Sequence, residues 1–225
     1  MLSWLFPPPR FRVYEDSFAR TRAAMFLGLR AAIEERLKLG QSILLVTHFA
    51  RSFEELQDHL DQWSMEYQIG PTKIAPFQLP ELLGSGEQTV LLSLSNQLVP
   101  EDVSAEANPS DKTTCVVVIE RHPNGTSDQR LESFCREIPG FVEFGYFMSF
   151  EDGLISTMIN ESALRIIDMF GLGENEMITS NMISRRLRAL LAKNSKQIVT
   201  DHPADSFEEW VKLNPPLDKD RNKER

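Results

Sequence analysis

The sequence predicts an α/β fold in which a mainly parallel β-sheet is flanked by helices. Three short apolar runs, at residues 42–47, 90–94 and 114–119, are bounded by turn signals and have the length of buried parallel strands. The segments between them carry apolar residues at steps of three and four, the pattern of helices packed on a sheet. Strands and helices that alternate in this way favour a parallel sheet with right-handed crossovers.

The first 15 residues are predicted to form an extended N-terminal tail. Residues 7–9 are prolines, which favour an extended chain, and aromatic side chains lie on both sides of them. We expect this tail to lie along the body of its own domain. An arm that docks on a partner is the alternative.

The first predicted helix runs from a cap at Asp16 or Ser17 to Leu39. Its apolar side chains form one face, made of Ala19, Ala23, Phe26, Leu29, Ile33 and Leu37. Gly40 follows, and glycine tolerates the left-handed conformation in which helices commonly end.

The second predicted helix follows the first strand. Ser52 is its expected N-cap, and Glu55 three residues later completes a capping box. Its buried side is expected to contain Phe53, Leu56, Leu60 and Trp63. A short strand at 67–69 and a single helical turn at 79–83 are predicted next.

The second half of the chain continues the alternation and then becomes helical. Residues 99–113 are polar and are predicted to form an exposed loop. A helix is predicted at 128–136 and a strand at 141–147. Two further helices are predicted at 161–169 and 180–196.

These elements divide the chain into four predicted segments. The tail at 1–15 precedes an α/β domain at 16–155 and a helical extension at 156–200. Residues 201–225 are expected to be mostly flexible, because their end is charged and interrupted by prolines.

Composition excludes several classes of function. A formal net charge of -9 and a pI near 5.0 argue against binding nucleic acid or anionic lipid through a broad basic surface. Cys115 and Cys135 are the two cysteines, and we expect them to be reduced. They and the four scattered histidines match no familiar zinc spacing, so no metal site is expected. No apolar run approaches the roughly 20 residues that span a membrane, so we expect a cytoplasmic protein without stable membrane insertion.

The stretch from Glu120 to Leu154 resembles, without a gap, a segment of the second motor domain of the SecA preprotein translocase ATPase family. The shared frame consists of Glu120, Arg121, His122, Asp128, Leu131 and the string Ser149, Phe150, Glu151 and Asp152. Residues 40–47 look like a strand that the family has upstream, and the order of motifs is kept over residues 20–195. The resemblance implies a RecA-like fold of the helicase C-terminal type, as in P-loop NTPases, with a C-terminal helical extension.

The departures from the family pattern concern the nucleotide. The two arginines of the family's GRSGR motif, which reach the nucleotide's phosphates, fall on Phe134 and Glu137. Phenylalanine cannot stabilise that negative charge, and glutamate would repel it. The sequence also contains no phosphate-binding loop of the form GxxxxGK[ST]. The resemblance therefore implies a degenerate, truncated relative with no catalytic residues and no nucleotide cofactor.

Four residues are weak candidates for a cofactor site. Glu120, Arg121 and His122 close the clearest strand, and in parallel sheets such strand ends face the ligand crevice. The family pattern places this trio near the nucleotide cleft, although we interpret it as a salt-bridged end of a strand. Arg136 lies one position from a lost family arginine, and on a helix that offset turns a side chain by about 100°. We therefore expect Arg136 on a solvated helix face.

Three further groups are interpreted as structural. The string from Ser149 to Asp152 helps to join the motor domain to the helical scaffold in the family, and its two carboxylates are expected to act as helix caps rather than as a metal pair. His48 is expected to lack a nearby nucleophile with a supporting acid, so acyl transfer is not expected. The basic side of the last helix is expected to be solvated, with contact to an acidic partner as the alternative.

These observations predict a non-catalytic accessory or regulatory protein that acts by protein–protein binding. The resemblance suggests a link to protein export, with SecA, a preprotein or another motor domain as the partner. The alternative is one half of a split ATPase that completes a nucleotide site with a partner motor domain. A third possibility is a phage-like or stress-related decoy with no role in export.

Overall fold

The computed structural model of the protein describes residues 10–84, 89–100, 113–158, 173, 175–198 and 200–214. These residues form an eight-stranded, mostly parallel sheet with helices on both faces, which is the α/β class that the sequence predicts. The strands are β1 (Phe11–Val13), β2 (Ser17–Ala19), β3 (Ser42–Thr47), β4 (Gln68–Ile69), β5 (Val90–Leu94), β6 (Thr113–Val118), β7 (Phe141–Ser149) and β8 (Met177–Thr179). The helices are α1 (Arg22–Lys38), α2 (Ala50–Gln62), α3 (Leu79–Leu82), α4 (Gly125–Glu137), α5 (Gly153–Met158), α6 (Asn181–Ser195) and α7 (Phe207–Leu213).

The strand order is β4-β5-β3-β6-β7-β2-β8, and among these strands β2 and β8 form the antiparallel pair. Strand β3 lies between β5 and β6, so that Ile43 faces Val90 on one side and Cys115 on the other. The longest strand, β7, pairs with β1 through its first half and with β2 through its second half. The carboxyl ends of β3, β5 and β6 consequently lie at one edge of the sheet.

Two buried clusters cover the two faces of the sheet. Leu44 and Val46 belong to one cluster and Ile43 and Leu45 to the other, because successive side chains of a strand point to opposite faces. Helices α4 and α6 contribute to the first cluster, whereas α1 and α2 contribute to the second. The central strands are therefore buried on both faces, as continuous apolar runs predict.

The start of α1 differs from the prediction. Thr21 is the N-cap, and its hydroxyl accepts from the Ala24 N–H at 3.1 Å. Asp16 and Ser17 do not cap the helix, because the chain pairs there with β7 as a strand. The predicted end is confirmed, since Gly40 has a φ of 73°.

The start of α2 also differs. The helix follows Phe49, whose side chain cannot cap it, and the predicted capping box at Ser52 and Glu55 does not form. Ser52 Oγ instead donates to Glu120 at 2.7 Å, and Glu55 pairs with Arg22. A partner distant in sequence has replaced the local cap.

The bounds of the other predicted elements within the described residues differ from the prediction by a few residues at most. Strands β3 and β5 have the predicted bounds, while α4 and β7 are longer. The predicted tails contribute to the fold, since residues 11–13 form β1 and residues 207–213 form α7. The proposed division into four segments otherwise stays a prediction. The helix predicted at 161–169 lies outside the described residues.

Within the described ranges, the structure contains no helix that is both long and apolar enough to cross a membrane.

Candidate functional site

The candidate site lies at the carboxyl ends of the central strands, where parallel sheets bind ligands. Glu120, Arg121 and His122 follow β6 directly, and all three are buried. The structure thus brings three of the four sequence candidates together at the expected edge. Their hydrogen bonds decide what this edge can bind.

The carboxylate of Glu120 caps α2. It accepts from the backbone N–H groups of His48 at 2.7 Å and Phe49 at 3.1 Å, and from the hydroxyl of Ser52. A negative charge at a helix N-terminus is stabilising, because free N–H groups and the helix dipole both favour it. The Arg51 N–H donates to the carbonyl of Asp205 at 3.0 Å. The N–H groups of His48, Phe49 and Arg51, which could otherwise face an anion, therefore already donate to acceptors of the chain itself.

The guanidinium of Arg121 is held between two buried carboxylates. It donates to both oxygens of Asp16, at 2.9 and 2.8 Å, and to Asp128 at 3.0 Å. It also lies 3.7 Å from the ring centroid of Tyr146. Burial alone would lower the pKa of Arg121, but Tyr146 and the two carboxylates raise it above its usual range. Arg121 is therefore a charged group whose two Nη atoms donate to buried carboxylates, while its Nε is buried without a hydrogen-bond partner.

Asp128 accepts hydrogen bonds from both Arg121 and the backbone of His122. One oxygen accepts from Arg121, and the other accepts from the backbone N–H of His122 at 3.1 Å. Burial would raise its pKa, but His48, Arg121 and the His122 N–H together hold the pKa below its ordinary value. Asp128 is thus an ionised, buried counter-charge.

His122 is a neutral, packed imidazole. Its Nδ1 accepts from the Asn124 N–H at 3.1 Å, and its ring stacks on Phe49 and meets Trp210 edge-on, both at 5.5 Å between centroids. Burial, together with the adjacent His48, lowers the pKa of His122 to about 4. It offers no positive charge to a phosphate at neutral pH.

The expectation that His48 lacks a nucleophile and an acid nearby is wrong. Its Nδ1 lies 2.8 Å from Ser95 Oγ, and its Nε2 lies 3.0 Å from Asp128 Oδ1. The contact between Nε2 and Asp128 does not have hydrogen-bond geometry. Asp128 does not orient the imidazole through a hydrogen bond, as the acid of a catalytic triad does, and its two oxygens already accept from Arg121 and from the His122 N–H. We interpret this trio as a buried polar network.

Arg136 does not join the site. It lies on the exposed side of α4, pairs with Glu132 one turn away and lies 4.4 Å from the ring centroid of Phe11. This placement is the one expected from its offset relative to the family's arginine.

The string from Ser149 to Asp152 binds the start of α1. Glu151 accepts from the Arg22 N–H at 2.8 Å, and Asp152 accepts from Arg22 Nη1 at 2.6 Å. Asp152 also accepts from the Ser149 N–H, and the Ser149 hydroxyl accepts from the Glu151 N–H. Burial raises the pKa of Asp152 to about 6, although Arg22 opposes this shift. Both carboxylates are thus engaged with protein groups, and their helix partner is α1 rather than α5.

Sequence reasoning missed the C-terminal strap, residues 200–214, which folds over this edge of the sheet. Asp201 accepts from Asn124 Nδ2 and from Trp210 Nε1, both at 2.7 Å, and Trp210 is buried. Phe207 packs on Gly153 so closely that a Cβ there would lie 2.3 Å from the ring. A local signal exists, because Ser206 caps α7 and the two aromatic residues follow at positions 207 and 210.

A cleft of about 480 Å³ remains between the starts of α1 and α2, the Ser149–Asp152 string and the strap. It is lined by both signs of charge, including Arg22, Arg51, Glu55, Glu151 and Glu208. In the described part of the chain, no three His, Cys, Asp or Glu side chains are grouped so that they could hold a metal ion.

The chain has distant sequence similarity to SecA subunits of the protein translocase. The chain is 25% identical to the protein translocase subunit SecA of Clostridium botulinum over 181 residues, which is 79% of this chain and 22% of that protein. It is 20% identical to the SecA subunit of Thermotoga maritima over 183 residues, or 80% of this chain and 21% of that protein. The chain therefore spans about a fifth of the length of the curated relatives that it matches. No family model matches the chain.

Among solved structures, the C-terminal part of the Fun30 ATPase domain aligns with 75% of this chain and 54% of that one. The TM-score is 0.38 and the sequence identity is 8%.

Proposed function

We propose that this protein is a non-catalytic, SecA-like accessory or regulatory protein that acts by binding another protein. The observation that carries the proposal is the pairing of Arg121 with Asp16 and Asp128, both buried at the edge where a nucleotide would bind. A phosphate would have to break two buried ion pairs to reach this guanidinium, and it would leave carboxylates without partners.

The occupation of the α2 start supports the same proposal. Glu120 and the carbonyl of Asp205 already satisfy N–H groups that could otherwise bind an anion. The strap covers the same edge, so a nucleotide would also have to displace Trp210 and Phe207.

The link to protein export rests on similarity to the translocase subunit SecA. The protein that this chain binds is proposed to be SecA itself, a preprotein or another motor domain. The cytoplasm, where motor domains of this kind reach their substrates, is the proposed location.

Calorimetric titration of the purified chain with ATP-Mg and with ADP tests the absence of a nucleotide site. We expect no binding heat under conditions in which an intact SecA motor gives a clear signal. Binding with micromolar affinity would overturn the non-catalytic proposal.

Mixing experiments separate this proposal from a split ATPase. A split ATPase would hydrolyse ATP only when mixed with a motor domain that carries a phosphate-binding loop. We expect no hydrolysis in the mixture, together with a saturable complex between this chain and purified SecA or a preprotein. If neither SecA nor the preprotein bound this chain, the proposed link to export would be contradicted. The calorimetric test of nucleotide binding would be unaffected.

A further inference from the structure

Helix α6 presents a cationic face to solvent. The exposed positions of this helix and of the turn that follows it include five cations: Arg185, Arg186, Arg188, Lys193 and Lys196. Residues 177–200 contain no aspartate or glutamate. We call the exposed side of α6 and this turn the α6 cationic face.

The charge of this face is opposite to that of the rest of the molecule. Outside it, the chain has 19 lysines and arginines against 33 aspartates and glutamates. A cationic helix on a strongly acidic protein is a marked local asymmetry, and such asymmetry affects association more than it affects folding.

Two exposed arginines elsewhere on the molecule are paired with a carboxylate, whereas most cations of this face are not paired within the described residues. Arg30 pairs with Glu34 at 2.8 Å and Arg136 pairs with Glu132 at 2.5 Å, each one turn away on the same helix. On α6 the nearest carboxylate contact is Arg188 with Asp16 at 3.8 Å, and the described residues supply no salt bridge to the other four cations. Helix α6 contains no carboxylate, so it cannot form the i, i+4 pairs seen on α1 and α4.

The fold holds this face in a fixed orientation. Leu187 and Leu191 are buried in the core cluster that includes α4, and Ser184 is buried beside them. On the exposed side, Ala189 and Ala192 lie between the cations, so that side chains do not block a close approach. Fifteen residues give a helix about 22 Å long, enough for about four turns of a partner helix.

We propose that the α6 cationic face is a docking surface for an acidic, helical protein segment. The proposal rests on the proposed function, because it specifies the kind of protein that a binding module of this type recognises. A short acidic helix can bind within the length of α6 and contact its cations without approaching the acidic remainder of the molecule. A nucleic acid or an anionic membrane extends beyond 22 Å, and the acidic body of the molecule repels it within a Debye length of about 8 Å at physiological salt.

The small energy of each exposed ion pair determines whether this face contributes mainly to the affinity for a partner or to the association rate. Exposed pairs are worth about 0.2–1 kcal/mol each, which is small beside the entropy lost on association. Charge complementarity at such a surface mainly accelerates encounter. The α6 cationic face should therefore raise the association rate of an acidic partner and make that rate depend on salt.

The test uses the full-length chain and a synthetic 20-residue helical peptide rich in glutamate and alanine. Surface plasmon resonance measures its association and dissociation rates at low and at physiological salt. Arg185→Glu combined with Arg186→Glu reverses two charges on the face. The matched control, Arg30→Glu with Arg136→Glu, makes the same change in net charge on two other exposed helix positions. Circular dichroism verifies that each variant is folded.

We expect the α6 variant to lose about tenfold or more in association rate with little change in dissociation rate, and the control to lose less than about twofold. Equal losses in the two variants, or no binding of the peptide to the wild-type chain at low salt, would overturn the proposal. Tighter binding of single-stranded RNA or of anionic vesicles than of the peptide would also overturn it. Calorimetry with ATP is independent of α6, so the failure of one proposal is distinguishable from failure of the other.

Discussion

At the scale of single residues, the candidate site is a set of charges that satisfy one another. Arg121 shares its donors between two carboxylates, Glu120 caps a helix, and His122 is held neutral by burial. Most groups that would bind a ligand in an open site form internal contacts here; Arg121 Nε and His48 Nε2 are buried without a hydrogen-bond partner. Replacing these residues should therefore change the free energy of unfolding.

Replacing Arg121 with alanine should destabilise the protein strongly. The change leaves Asp16 and Asp128 buried without their main counter-charge, and breaking one side of a buried pair costs about 3–5 kcal/mol. Urea unfolding followed by circular dichroism gives the free energy of unfolding. The control is Arg136→Ala, which breaks an exposed pair worth less than about 1 kcal/mol. Similar losses for the two variants would show that Asp16 and Asp128 are not held by Arg121.

His122 should make the protein less stable in mild acid. The unfolded chain takes up a proton near the ordinary histidine pKa of 6.5, whereas the folded chain does so only near 4. The free energy of unfolding should therefore fall as the pH falls from about 6.5 to 4, by about 3 kcal/mol in total at 1.36 kcal/mol per unit.

The variant His122→Phe keeps a ring between Phe49 and Trp210 but removes the titration, so its difference from wild type isolates this effect. Asp152 acts in the opposite direction, because its raised pKa stabilises the folded state in acid, but it is common to both proteins. His202, whose side chain is exposed, gives the control His202→Gln. A difference between wild type and His122→Phe that does not change with pH would contradict the assignment.

At the scale of secondary structure elements, two short segments with little local sequence signal, β2 and α7, are held in place by tertiary contacts. Strand β2 is three residues long, yet it pairs with both β7 and β8. Helix α7 is seven residues long, too short to be stable alone in water. Its order comes from burial of Trp210 and from the hydrogen bond of that side chain to Asp201.

Replacing Trp210 with alanine should release the strap without unfolding the sheet. The lost aromatic burial is worth about 3–5 kcal/mol, more than a short helix retains on its own. Hydrogen exchange should accelerate by at least tenfold at the amides of 200–214 and at Arg51, whose N–H binds Asp205. Val211→Ala, at a position 42% exposed, should leave these rates unchanged. If exchange rose equally in β3 and β6, the strap would be part of the global folding unit.

At the scale of the whole molecule, one sheet joins two hydrophobic clusters. Strands β3 and β6 supply side chains to both clusters, so neither cluster can lose its packing without disturbing the other. Unfolding of the sheet and its two clusters should therefore be cooperative.

The two cysteines report on this cooperativity, because Cys115 belongs to one cluster and Cys135 to the other. Both are buried, and burial raises the pKa of Cys115 to about 11 and that of Cys135 further. The native protein should therefore be unreactive towards a thiol reagent at pH 8. In Cys115→Ser and Cys135→Ser, the remaining thiol should react at the same rate through the urea transition. Faster labelling of Cys115 would show that the α1–α2 face opens by itself.

Much of the fold can be predicted from local sequence patterns. Features that depend on residues distant in the chain cannot. Strands β3 and β5 have their predicted bounds because continuous apolar runs occur only where both faces of a sheet are covered. The start of α2 could not be predicted, since its cap is the carboxylate of Glu120, 71 residues from Phe49 in sequence. Helix caps supplied by tertiary contacts leave no local signal.

The amino-acid sequence by itself determined the α/β class, the central strands, the position of Glu120, Arg121 and His122 at a strand end, and the placement of Arg136 on an outer helix face. These follow from hydrophobic periodicity and from the fixed geometry of helices and strands. The tertiary structure alone decided that Arg121 faces Asp16 and Asp128, that Ser95 and Asp128 flank His48, and that the strap covers the edge. Such contacts join residues far apart in the chain, and which distant charges meet is settled only when the sheet brings their strand ends together.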